Sequence, residues 1–239
     1  MLLLRHGGDF TERRIEQHGW LVLRHVALGT AVFGGLALTI SPLVGLIGGA
    51  MVVAGAKAEF KRWGNWQAGK AGELAVTEVL KALPNEYVLL NDLMLPDGRG
   101  NVDHLVIGPN GIFVIETKNY SGYVSCWGDR WYVNRREIDS LSKQAKRNAM
   151  AIKNSLDGVF REYHARIPWV DPILAFTNPN GRLNIKSPTI PVLRSSELVA
   201  FISHYRAASF RPIATPELNR AIVHHLHLLQ RKPEKSAPV

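Results

Sequence analysis

Residues 26–56 form a run of 31 positions without an ionisable side chain, and a helix needs only about 20 such residues to cross a hydrocarbon core of roughly 30 Å. The pattern predicts a membrane-embedded segment. Ser41 and Pro42 interrupt it, and both halves are rich in Gly and Ala, with Gly45 and Gly49 at the spacing that lets membrane helices approach closely. One long tilted span and a hairpin of two short helices turning at Ser41 and Pro42 both fit the run. Arg13, Arg14 and Arg24 precede it, while Lys57, Lys61, Arg62 and Lys70 follow it, so the positive charges favour the hairpin with both ends in the cytoplasm. A cleaved signal peptide fits poorly, because the apolar stretch is too long and begins only after Asp9, Glu12 and Glu16.

Behind the run the periodicity changes. Residues 57–68 place Trp63 and Trp66 beside Lys61 and Arg62, the composition of an interfacial linker. Residues 69–83 carry Val76, Val79, Leu80 and Leu83 at helical spacing, and Pro84 ends that helix. Strands are expected over 87–90, 102–107 and 112–118, the last two separated by Gly108, Pro109, Asn110 and Gly111. Residues 93–100, with Pro96, Asp97, Gly98 and Gly100, read as an irregular connection. A second hairpin is expected over 123–133, turning at Gly128 and Asp129, and a helix over 140–156. Two short buried strands follow at 172–176 and 190–193, with a polar loop at 178–187 between them. Residues 196–205 and 216–229 look helical. The reading is an α/β protein divided into an N-terminal segment 1–25, a transmembrane segment 26–56, a linker 57–68, a folded domain 69–230 and a polar tail 231–239.

Composition narrows this only slightly. The apolar fraction of 46% is ample for a packed core. The net charge of +9 attracts phosphates or anionic headgroups without choosing between them. With Cys126 as the single cysteine there is no intrachain disulfide, and no Cys and His spacing suits a structural zinc site. No phosphate loop, nucleophile elbow or dinucleotide fingerprint is present, which removes those enzyme classes.

The strands carry the chemistry. In the second of the pair, Ile112, Val114, Glu116 and Lys118 point one way while Phe113, Ile115 and Thr117 point the other. If Asn110 and Gly111 form a two-residue turn, Asp103 lies opposite Lys118 and Leu105 opposite Glu116, so the three charged groups share one otherwise apolar face. Charge at a position patterned for burial costs several kcal/mol unless it is paired or binds a metal. Asp103 and Glu116 suit Mg²⁺ or Mn²⁺, hard ions commonly held by one or two carboxylates. Lys118 beside them could orient or help deprotonate an attacking water and stabilise charge on a phosphate, which suits metal-assisted phosphodiester hydrolysis. Glu73 borders the apolar stripe of its helix, three residues before Val76 and seven before Leu80, and can reach toward the same place.

These residues resemble the nuclease-related domain (NERD) family of the restriction-endonuclease-like, PD-(D/E)XK superfamily. The matching motifs are Gly69-Lys-Ala-Gly72-Glu73, Asn101-Val-Asp103-His104, Gly111-Ile-Phe113-Val-Ile-Glu116-Thr-Lys118, and Gln144 on the following helix. The resemblance implies a mixed central sheet flanked by helices, active-site roles for Glu73, Asp103, Glu116, Lys118 and Gln144, and a nucleic-acid substrate, DNA ahead of RNA. By the same resemblance Gln144 helps position water or the scissile phosphate. One departure is local: the family often places Asn-Pro three residues before that glutamine, where this chain has Leu141 and Ser142.

The remaining candidates are weighed against ordinary roles. Lys143, Lys146, Arg147 and Lys153, with Arg130, Arg135 and Arg136, could track a nucleic-acid backbone or form a solvated face. Trp127, Trp131 and Tyr132 could stack on bases, but aromatics in a hairpin are more often core or cross-strand partners. His104 should project to the face opposite Asp103, as a packed, hydrogen-bonded histidine. The expected whole is a metal-dependent nuclease at a bacterial inner membrane, with a cytoplasmic catalytic domain and with nucleic acid and membrane lipid as partners. The alternatives are a binding module that has lost catalysis, or a membrane-associated scaffold.

Overall fold

A computed structural model of the chain describes residues 2–3, 9–39, 41–94, 100–205 and 216–230. The contacts divide it into two units, residues 8–71 and residues 72–239 with the first seven residues. The polar tail and the expected irregular residues Pro96, Asp97 and Gly98 lie outside the described residues.

The first unit holds helix α1 (Asp9–Thr39) and helix α2 (Pro42–Leu80) up to Ala71. The helix breaks at Ser41, where the proline that follows cannot extend the preceding hydrogen-bond ladder. The two helices touch through their small residues: a Cβ on Gly29 would lie 2.2 Å from Val52, and one on Gly49 would lie 3.0 Å from the Phe33 ring. Close glycine-mediated approach is what the Gly-rich pattern predicts. Leu28, Val32, Leu43, Ile47 and Met51 are exposed on the outside of the pair.

Two expectations need correction here. Among the described residues no helix is long and apolar enough to cross a membrane. The break leaves uncharged runs of 26–39 and 42–56, which at 1.5 Å per residue reach about 21 and 22 Å, against the roughly 30 Å of a hydrocarbon core. The expected linker 57–68 is helical throughout, a continuous part of α2, because no proline interrupts it.

The second unit is built on a mixed sheet in the order β1-β2-β3-β4-β8-β10. Its strands are β1 (Leu2–Leu3), β2 (Val88–Met94), β3 (Asn101–Gly108), β4 (Gly111–Lys118), β8 (Val170–Phe176) and β10 (Val192–Arg194). The β2-β3 and β3-β4 pairs are antiparallel, whereas β4-β8, β8-β10 and β1-β2 are parallel. A smaller sheet, β7-β6-β5-β9, joins β5 (Tyr123–Trp127), β6 (Arg130–Val133), β7 (Arg136–Ile138) and β9 (Arg182–Lys186). The polar loop expected over 178–187 therefore contains a strand, because Leu183 and Ile185 turn inward while Arg182, Asn184 and Lys186 pair outward along β5.

The β4 strand is apolar on both sides because helices cover both faces of the main sheet. On one side Leu105, Ile107, Ile112 and Val114 pack against Ile152 and Leu156 of helix α3 (Leu141–Glu162) and against Leu218, Ile222 and Leu226 of the final helix, α5 (Pro216–Gln230). On the other, Leu89, Val106, Phe113 and Ile115 meet Val76 and Leu80 of α2 and Leu198 and Ile202 of helix α4 (Leu198–His204). Burying each such side chain stabilises the fold by about 1.5–3 kcal/mol.

His104 sits on the second of these faces, as expected. It is 1% exposed; its Nδ1–H donates to Asn91 Oδ1 at 2.7 Å and the Thr117 hydroxyl donates to its Nε2 at 3.1 Å. Burial holds its pKa down at about 3, so the ring is neutral in the fold. An imidazole depressed from 6.5 contributes stability that is complete above pH 6.5 and is lost as pH falls toward 3, at up to about 1.4 kcal/mol per pH unit. Urea titrations between pH 7 and 5 are expected to show stability falling with acidification, with a shallower fall in His104→Gln; parallel profiles would remove this assignment.

Candidate active site

The tip of the β3-β4 hairpin sets the geometry of the site. Gly108 pairs with Gly111 and Leu105 with Val114, so the turn is Pro109-Asn110 rather than Asn110-Gly111. Proline fixes its own φ near −65°, which suits the first central position of a common turn, and neither central residue takes the positive φ that the expected turn requires. Asn110 is held from outside the hairpin, accepting from the Tyr87 hydroxyl at 3.0 Å and donating to the Tyr205 carbonyl at 3.2 Å. Gly108 is needed there because a Cβ would enter the Tyr87 ring.

This corrects the expected register by two residues. His104 pairs with Ile115 and Leu105 with Val114, not with Glu116, and continuing that register by one residue puts Asp103 level with Glu116, not with Lys118. A shift of two preserves the face, so the shared surface survives. It also brings the two acidic residues from an expected diagonal of about 7 Å between Cα atoms toward facing positions.

Glu116 is 2% exposed and is gripped from three sides. Lys118 Nζ and Gln144 Nε2 each donate to its Oε1 at 2.6 Å, and Asn148 Nδ2 donates to Oε2 at 3.1 Å. Both amides come from α3, whose first turn is capped by the Ser140 hydroxyl accepting from Lys143 N. Asp103 Oδ2 accepts the Thr117 N–H at 2.7 Å. Burial, the charge of Glu116 and that of Glu73 hold the Asp103 carboxyl well above its ordinary range, against the pull of Lys118 and the Thr117 N–H. Burial lowers the Lys118 pKa, but Glu116 and Asp103 outweigh it and the net shift is upward. Lys118 is accordingly an ammonium, suited to stabilising negative charge and not to accepting a proton.

Glu73 reaches this group because α2 runs tight against the end of β4. A Cβ on Gly72 would lie 2.9 Å from Thr177 Oγ1 and 3.1 Å from Asn119 Cβ, so glycine permits the approach that brings the next residue's charge to bear on Asp103. All five expected site residues, Glu73, Asp103, Glu116, Lys118 and Gln144, thus belong to one electrostatic cluster.

Asn148 was not among the expected residues. It lies four residues after Gln144, one turn along the same face of α3, and it also donates to the Asn101 carbonyl at 3.4 Å. A further carboxylate, Asp92, accepts from Asn101 Nδ2 at 2.8 Å and has a left-handed φ of 53°, a strained conformation for a strand residue. The i, i+4 spacing from Gln144 could have flagged Asn148; no comparable signal marks Asp92.

The candidate ligand atoms are the carboxylate oxygens of Asp103 and Glu116, and burial with the charges of Glu116 and Glu73 outweighs the pull of Lys118 on Asp103. That is the chemistry a hard divalent cation fits, with water completing its shell. Among the described residues no group of three or more His, Cys, Asp and Glu side chains converges as a metal cage, so the two carboxylates are the candidate ligands.

The basic candidates divide. Lys143 and Arg147 are exposed on α3, whereas Lys146 Nζ donates to the Asp129 carboxylate at 3.1 Å and to Thr189 Oγ1 at 2.7 Å, a tie between two turns. Lys153 lies 4.9 Å over the Trp169 ring. Trp131 is fully buried, while Trp127 is 67% exposed.

Comparison with known proteins gives a family match. Residues 68–177, just under half of the chain, match the model of the nuclease-related domain family, NERD. An uncharacterized protein of Bacillus anthracis is 42% identical over 60 residues, which cover 23% of this chain and 28% of that protein. The chain thus spans under a third of that relative's length in the match. No solved structure matches.

Proposed function

We propose, from the match of residues 68–177 to the nuclease-related domain family, that this chain hydrolyses phosphodiester bonds in nucleic acid, DNA in preference to RNA, with Mg²⁺ or Mn²⁺. The observation that carries the reading is the cluster in which Glu116 is held by Lys118, Gln144 and Asn148 beside the Asp103 carboxylate, which accepts the Thr117 N–H. Asp103 and Glu116 would hold the ion, which when bound lowers the pKa of water and polarises a phosphoryl oxygen.

The protein's own groups supply the rest. Gln144 and Asn148 fix the Glu116 carboxylate so that its orientation is set before substrate arrives. Lys118 presents an ammonium to the charge that develops on the phosphate. Glu73, at the rim, offers a carboxylate to receive the proton of the attacking water. The test is cleavage of plasmid and single-stranded DNA by the purified full chain. Turnover is expected with Mg²⁺ and none in EDTA; equal turnover in both, or none at all at high purity, would sink the proposal.

We also propose that the helical pair of the first unit attaches the protein to the cytoplasmic face of a bacterial inner membrane without crossing it. Exposed Leu43, Ile47 and Met51, with Lys57, Lys61 and Arg62 farther along α2, combine an apolar tip with cations that suit anionic headgroups. Co-flotation with phosphatidylglycerol vesicles is expected for the wild type and is expected to be largely lost in Ile47→Asp/Met51→Asp. Equal flotation of the two would exclude insertion of this tip.

A further inference from the structure

The outer face of the β7-β6-β5-β9 sheet is the feature not used by the reaction. Alternation splits its residues cleanly: Val124, Cys126, Trp131, Leu183 and Ile185 enter the core, leaving Tyr123, Trp127, Tyr132, Arg130, Arg182 and Lys186 on the other side. Contacts confirm that these share one surface. Asn184 Nδ2 donates to the Tyr123 hydroxyl at 2.6 Å, and the Arg130 guanidinium lies 5.8 Å over the Tyr132 ring.

The spacing on this face is regular. Tyr123 and Trp127 are four residues apart on β5, about 13 Å, and Tyr132 is paired with Ser125, halfway between them. The three aromatic positions therefore follow one another along the strand direction at offsets of about 7 Å. Cations flank them in register: Arg182 opposite Tyr123, and Lys186 and Arg130 on either side of Trp127. Glu137 is the acidic residue on the face, 3.5 Å from Arg130. Among these cations the Trp127 side chain is 67% exposed.

We propose that this face is a binding platform for single-stranded nucleic acid, whose bases stack on Trp127, Tyr132 and Tyr123 while Arg182, Lys186 and Arg130 contact the phosphates. The choice of nucleic acid among polyanions rests on the nuclease reading. Unstacked bases offer π-faces to the rings, which a duplex keeps inside its stack, and phosphates meet the flanking charge. The surface thereby defines the substrate class as single strands or strand ends.

The test is fluorescence anisotropy of a labelled oligothymidylate with the full chain in EDTA, so that binding is read without hydrolysis. Trp127→Ala is expected to weaken binding about tenfold, with most of the affinity restored in Trp127→Phe. Lys186→Gln and Arg182→Gln are each expected to flatten the slope of log affinity against log salt by about 0.7. Duplex DNA is expected to bind more weakly and to ignore Trp127→Ala. Unchanged strand affinity in Trp127→Ala overturns the proposal, as does an equal loss for duplex and single strand. A loss only in the cation variants marks a general polyanion surface and overturns it too. Because cleavage is scored separately, a platform without turnover leaves this inference standing while the nuclease reading fails, and turnover with an inert platform does the reverse.

Discussion

Asp103→Asn is expected to lower Mg²⁺-dependent turnover by at least the order of 10³-fold while making the protein more stable at neutral pH. Removal of one preorganised electrostatic group from a site of this kind costs on the order of 10²–10³, and here the same change also removes half of the proposed ligand pair. The gain in stability follows from the charge balance. Burial, Glu116 and Glu73 raise the Asp103 pKa, so the folded state binds its proton more tightly than the unfolded chain does. Such a group contributes stability that is complete below the unfolded value near 3.8 and is lost as pH rises through the folded value. At neutral pH the wild type carries that loss and the asparagine variant does not, while the Asn side-chain oxygen can still accept the Thr117 N–H. The advantage of the variant should shrink as pH is lowered toward 4. Divalent ion supplies the converse signature: saturation to a hundred times Kd stabilises by about 2.7 kcal/mol, and this shift is expected in the wild type and absent in Asp103→Asn. Loss of stability in the variant, with no ion-dependent shift in either protein, would identify the cluster as a structural salt bridge.

The clustering of the five side chains was largely legible in the chain because strand alternation is insensitive to its main uncertainty. The expected turn was wrong, yet an error of two residues moves a side chain along a face without turning it over. What the pattern could not supply was the proline-led turn, because an Asn-Gly pair is a strong hairpin signal by itself and the tertiary grip of Tyr87 and Tyr205 on Asn110 is invisible locally. Sequence also placed the break at Ser41 and Pro42 correctly, but read 57–68 as a linker where α2 continues. The Trp and Lys residues there fit an interfacial linker and a helix surface alike, and only the absence of a proline distinguished them. The strand β9 escaped because Leu183 and Ile185 are two apolar positions among polar ones, too short a repeat to stand out.

Trp131→Ala should be the most destabilising single substitution in the small sheet, costing about 3–5 kcal/mol for the lost side chain. Trp131 is fully buried and stacks on Phe176 of β8, with centroids 6.1 Å apart, and its Nε1–H donates to the Ser142 hydroxyl at 2.6 Å. The ring therefore ties three elements together: the small sheet, the main sheet and the first turn of α3. Truncation leaves a cavity and also strips the buried Ser142 of this donor, a further penalty of about 1–3 kcal/mol. For a domain of this size each kcal/mol lowers Tm by about 2–4 °C, so a fall of roughly 10 °C or more is expected in thermal melts. Trp131→Phe keeps the stack and should cost about 1 kcal/mol for the hydrogen bond. The neighbour on the same hairpin gives the contrast, since Trp127→Ala alters only an exposed ring and should stay within about 0.5 kcal/mol. Because Ser142 precedes Gln144 by two residues on the same turn of α3, Trp131→Ala is expected to reduce cleavage even at temperatures where the chain remains folded. Equal stabilities for the two tryptophan variants would contradict the split of this sheet into a packed inner face and an exposed outer one.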